Sequence, residues 1–81
     1  MGKNHIGVDV SKDTLDVAAY ETEKKWRFSN NEAGINQLAQ TIDGLSVALV
    51  VLESTGGYET ELAYALNKAG ISCAVVNPRE T

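Results

Sequence analysis

One cysteine, no long apolar run and fewer bases than acids set the first limits on this chain. Cys73 has no second cysteine to bridge, so no internal disulfide forms and the chain fits a reducing, cytoplasmic setting. It lies in the apolar run ISCAVV with no basic neighbour to activate it, and reads as a buried, inert thiol. No stretch approaches the roughly 18–20 apolar residues that span a bilayer. The opening MGKNH is polar and short, unlike a secretory leader, so no membrane is expected. Seven Lys and Arg against eleven Asp and Glu give a net charge of -4. A free-standing nucleic-acid-binding module normally carries basic excess. If this chain works on nucleic acid, the gripping surface is expected elsewhere. An acidic balance does suit chemistry in which a cation neutralises carboxylates before a phosphate arrives. There is no linker, repeat or low-complexity stretch. With 81 residues and 43% hydrophobic content, residues 1–81 read as a single small folded domain, burying about 60% of its unfolded surface.

What is present is clear periodicity. In residues 5–10, Ile6, Val8 and Val10 alternate with His5, Gly7 and Asp9, a strand pattern. Ser11, Lys12 and Asp13 form a turn, and residues 14–20 alternate again through Leu15, Val17 and Ala19. After a turn over 21–24, Trp26 and Phe28 share a face of a third strand, completing an antiparallel meander. Then the period changes. Ser29 with Glu32 matches a capping box, with Asn30 and Asn31 as alternative caps. Ile35, Leu38, Ala39 and Ile42 follow at helical spacing, ending near Gly44. SVALVVLE is apolar without alternation, as a strand covered on both faces reads. A second helix carries Leu62, Ala65, Leu66 and Ala69 and stops at Gly70, and SCAVV is the last strand, closed by Asn77-Pro78.

The order β-β-β-α-β-α-β constrains the architecture. The fourth and fifth strands each arrive through a helix, so they run parallel through right-handed crossovers. Placing the fourth strand beside the first gives a mixed α/β sheet of order 3-2-1-4-5 with both helices on one face. The other face is left without cover. The arrangement resembles the ribonuclease H-like fold without its C-terminal helices.

In that sheet Asp9, near the end of the first strand, and Glu53, closing the fourth, fall on neighbouring parallel strands about 4.8 Å apart. Burying an ionised acid is costly unless something positive lies against it. Both acids reach the C-terminal edge, where open α/β sheets place ligands. Carboxylate oxygens suit Mg2+ or Mn2+, and no Cys/His cluster competes for zinc. A solvated strand-end acid remains the plain alternative.

GVDVSKDTLDVA, a Trp–Phe strand, VVLESTGGYE, a helix and AVVNPRE together resemble the N-terminal, RuvC-like domain of DEDD-type insertion-sequence transposases, a family that includes the Piv-type DNA invertases. The resemblance spans Ile6 to Arg79. It implies that Asp9 is the first acid and Glu53 the second of a DEDD set that binds divalent metal for DNA strand cleavage and transfer. The two remaining aspartates lie downstream of the NPR segment in that family. Here no aspartate follows Asp43, so the chain is expected to be an N-terminal fragment, inactive alone. For the complete protein the resemblance implies DNA, an element-encoded guide RNA and self-association as partners, the last fitting an uncovered sheet face. The family's catalytic serine belongs to a further domain, so neither Ser11 nor Ser54 is expected to act as nucleophile.

Other residues carry two readings each. Ser54-Thr55-Gly56-Gly57 is a phosphate cradle or a strand-to-helix turn capped by Thr55. Tyr58 stacks on a base or covers the helix start, and Lys12 contacts phosphate or is solvated. Trp26 and Phe28 read as packing, Asp16 as solvent-facing, and His5 as structural. Two further function classes stay open: an actin-like nucleotide-binding module, which a GxDx hairpin superficially fits, and an assembly fragment without chemistry of its own.

Overall fold

The computed structural model describes residues 4–54 and 56–76. Its elements are β1 (Asn4–Val10), β2 (Thr14–Ala19), β3 (Lys24–Ser29), α1 (Glu32–Asp43), β4 (Val47–Ser54), α2 (Thr60–Lys68) and β5 (Cys73–Val76). They form one five-stranded sheet in the order β3-β2-β1-β4-β5. β1 pairs antiparallel with β2, and β2 with β3, while β1–β4 and β4–β5 are parallel. This order, with two helices on one face, fits part of a ribonuclease H-like fold.

The alternation dictates the core. Ile6, Val8 and Val10, Leu15, Val17 and Ala19, and Val50 and Leu52 form one sheet face. Ile35, Leu38 and Ile42 of α1 and Leu62 and Leu66 of α2 close over it in one cluster. Trp26 and Phe28 pack against that cluster half-buried, as does Cys73, which is less enclosed than its apolar run suggests. β4 departs from the expectation of cover on both faces. Val50 and Leu52 are buried under the helices, while Leu49 and Val51 on the other face are half-buried. Asn77 and Pro78 lie outside the described residues.

The helix boundaries have local causes. Asn31, not Ser29, caps α1, its Oδ1 accepting from the Gly34 N–H at 2.8 Å. Ser29 is held in β3 opposite Thr14, so it cannot turn inward as a cap. Gly44 ends α1, and α2 ends at Ala69 with Gly70 in the left-handed region at φ 79°. Ala69, expected on the apolar stripe, is exposed at that end. Among the described residues no helix is long and apolar enough to cross a membrane.

Candidate functional site

Asp9 sits between buried Val8 and Val10, so strand alternation turns it to the face opposite the helices. Glu53 sits between buried Leu52 and Ser54 and turns the same way. The parallel register pairs Asp9 directly with Glu53, and strand spacing places their backbones about 4.8 Å apart. Both side chains are exposed. Neither makes a side-chain hydrogen bond or ion pair with another described residue. Two unengaged carboxylates side by side are suitable donors for a hard divalent cation. Among the described residues no group of three or more His, Cys, Asp or Glu converges to hold an ion.

The row of acids extends further than the sequence suggested. Asp16 is the β2 partner of Asp9, and Arg27 is the β3 partner of Asp16. Arg27 Nε donates to Asp16 Oδ1 at 2.6 Å. That hydrogen bond, and then the carboxylate charge, raises the Arg27 guanidinium above its ordinary range. Asp16 does face solvent as its alternation implies, but it also stands next to Asp9 with its charge matched by Arg27. Beside the row lies a depression of about 370 Å³ lined by Gly7, Asp9, Asp16, Tyr20, Lys25 and Glu53, among others.

A second hollow, of about 400 Å³, lies where the loops after β1 and β4 meet. It gathers Lys12, Gly57 and Tyr58, three of the residues expected to contact nucleic acid, with Asn30 and Glu61. Asn30 joins the two loops. Its Nδ2 donates to the Ser11 carbonyl at 2.8 Å and to the Tyr58 carbonyl at 3.2 Å. Its backbone N–H donates to the Asp13 carbonyl at 2.9 Å.

Thr55 lies outside the described residues. The Tyr58 ring folds back over Gly56, so a Cβ there would push the ring aside. Gly57 takes φ 76°, a left-handed conformation natural to glycine. The start of α2 carries Glu59 as N-cap residue and Glu61 in its first turn. Their charges offset the attraction of the helix dipole for an anion, which favours the turn reading of this loop over the phosphate cradle.

His5 shares the Asp9 face but is engaged at the start of β1. Its Nδ1 bonds Glu21 Oε2 at 2.7 Å, and its backbone N–H donates to Glu21 Oε1 at 2.8 Å. These two bonds hold the Glu21 carboxyl below its ordinary value of 4.5. Ser54 is 5% exposed on the helix side, its hydroxyl unpartnered among the described residues. It faces away from the acids.

Comparison with known proteins gives a concordant result. A family model described as a transposase, of the DEDD type named for IS110, matches residues 6–81. The pilin gene-inverting protein of Moraxella lacunata is 32% identical over 85 residues, covering 96% of this chain and 26% of the relative. That of Moraxella bovis is 31% identical over 84 residues, with the same two coverages of 96% and 26%. The chain therefore spans about a quarter of the length of these curated relatives.

Proposed function

The chain belongs to the DEDD transposase family of the IS110 type, and from that premise we propose that Asp9 and Glu53 are its contribution to a divalent-metal site for DNA strand cleavage and transfer. The observation that carries the reading is their register: two exposed acids, directly paired on adjacent parallel strands, with no described partner of their own. Carboxylate oxygens of this kind fit Mg2+ or Mn2+. When bound, such an ion polarises a phosphate and stabilises charge on the entering and leaving oxygens. Asp9 and Glu53 hold it from the sheet. Arg27 keeps the neighbouring Asp16 charge matched, so that acid adds less repulsion toward a phosphate. Lys12, Gly57 and Tyr58 line the hollow at the adjoining edge, where Lys12 meets a DNA phosphate and Tyr58 stacks on a base.

The relatives' name, pilin gene-inverting protein, supports DNA as the partner. A guide RNA and a cytoplasmic setting complete the proposal for the whole protein. Alone, this chain is proposed not to cut DNA, because no aspartate follows Asp43 to fill out the ligand set.

Calorimetric titration of the chain with Mn2+ tests the metal site. Asp9→Asn and Glu53→Gln are each expected to weaken binding by about tenfold or more, the effect of removing one charged ligand from a small set. Undiminished Mn2+ binding in both variants would defeat the assignment. Robust cleavage of branched DNA by the unaltered chain with Mg2+ would defeat the claim that it holds only part of the site.

A further inference from the structure

We infer that the depression beside Asp9 and Glu53 is a subsite for one nucleotide of a single DNA strand, with Tyr20 as its stacking wall and Lys25 as its phosphate contact. The inference rests on the metal-site reading for its place in the reaction and on separate residues for its binding.

The depression exists because two small residues lie side by side on the open face. Gly7 pairs with Ala18, and Ala18 with Lys25, so the floor is glycine and alanine with a lysine at one end. The next row along the strands is Arg27, Asp16, Asp9 and Glu53, which forms the acidic wall. Tyr20 closes the opposite side. The hydroxyl end of its ring leans over Gly7, where a Cβ would collide with the ring. Glycine thus lets an aromatic side chain lie low across β1. Tyr20 nevertheless remains 58% exposed, a large aromatic residue beside a polar hollow, as a stacking platform requires.

Charge separates the two ends. Arg27 is taken by Asp16, whereas Lys25 makes no ion pair with a described residue. Among the described residues, the hollow therefore has an unengaged cation at one end and two unengaged carboxylates at the other. A nucleotide presents the complement: an anionic phosphate for Lys25 and an apolar base face for Tyr20. A volume of about 370 Å³ is at the small end of ligand sites, enough for one unit and too little for a duplex. Aromatic residues on an open sheet face are a recurrent platform for unpaired bases. Position adds to this. Asp9 lies two residues beyond Gly7 on β1, about 7 Å along the strand, and the Lys12 turn follows. A DNA strand laid along β1 meets Tyr20 and Lys25, then the acids, then Lys12.

The test is fluorescence anisotropy of a labelled eight-nucleotide oligothymidylate with the unaltered chain and its variants, at low salt without metal and again with Mn2+. Tyr20→Leu is expected to weaken binding by about 5- to 150-fold, the range for loss of one stacked base. Tyr20→Phe keeps it. Lys25→Ala weakens binding and flattens its logarithmic salt dependence by about 0.7, one phosphate contact on a single strand. Lys24→Ala, altering a lysine on the opposite sheet face, leaves both unchanged. No measurable binding by the unaltered chain, Tyr20→Leu and Lys25→Ala binding like it, or equal affinity for blunt duplex would each overturn the subsite. Failure of the metal reading appears differently, as Mn2+ binding indifferent to Asp9→Asn and Glu53→Gln while metal-free oligonucleotide binding still depends on Tyr20 and Lys25.

Discussion

A primary amide can give away two hydrogens, and Asn30 gives both to carbonyls in the loops that follow the two acids. No ligand is involved, yet the residue ties the exit of β1 to the exit of β4. Asn30→Ala strips both donors and is expected to cost about 1–2 kcal/mol, since each neutral hydrogen bond nets roughly 0.5–1.5 kcal/mol. Asn30→Asp is expected to cost more, because a carboxylate would face two carbonyl oxygens. Urea unfolding checks this, and an unchanged midpoint for Asn30→Ala would show the two bonds to be slack. Asp9 and Glu53 were legible in the sequence because each is an acid bordering apolar strand residues. Asp16 faces solvent as its alternation implies, and only register shows its place beside Asp9: the two stand equally far from the hairpin centre, so pairing Val10 with Leu15 puts them opposite each other. By its local pattern Asn30 offers only a helix cap. Its partner Tyr58 becomes a neighbour only after the chain has crossed α1 and β4, which no local pattern reveals.

Periodicity gave up most of the elements, since alternation and helical spacing are properties of the residues themselves. The boundaries depended on competition. Ser29 has the right chemistry to cap α1, but its pairing with Thr14 holds it in β3 and the cap passes to Asn31. Gly34 shows the same contest. In an ordinary helix interior, replacing glycine by alanine stabilises by up to about 1 kcal/mol. Here α1 comes so close to β3 that a Cβ at residue 34 would collide with the Ser29 backbone. Gly34→Ala is therefore expected to destabilise, by about 1–3 kcal/mol as in other overpacked sites. Thermal melting decides the sign, and a raised melting temperature would refute the close approach.

Handedness and strand order made the whole sheet legible, because right-handed crossovers leave one way to hang two helices on a 3-2-1-4-5 sheet. The chemistry of the uncovered face was less so. Its β1–β3 part carries Asp9, Asp16, Lys25 and Arg27, while its β4–β5 part presents Leu49, Val51, Ala74 and Val76, with Glu53 directly beside Val76. Self-association is proposed through the Leu49, Val51 and Ala74 end of the β4–β5 part, away from Glu53, with Val76 at its margin, since contiguous apolar surface tends to find cover. Light scattering is expected to show dimers at high concentration that Val76→Lys disrupts. A strictly monomeric chain at high concentration would remove the proposal.

The pairing of Asp9 with Glu53 has one more consequence. Two hairpin strands and all of α1 separate the acids along the chain, so they meet only after a long loop has closed, a step whose entropic cost precedes its reward. Any ligand held by both acids binds the closed state alone and stabilises it by mass action, about 2.7 kcal/mol at a hundredfold excess over its dissociation constant. Such a ligand is a fastener for the strand pairing of longest sequence separation among the described elements. A nascent or half-opened chain has the acids but not the pair, so a ligand that needs both is held only once the sheet is complete, and folding would act as the safety catch on such a site.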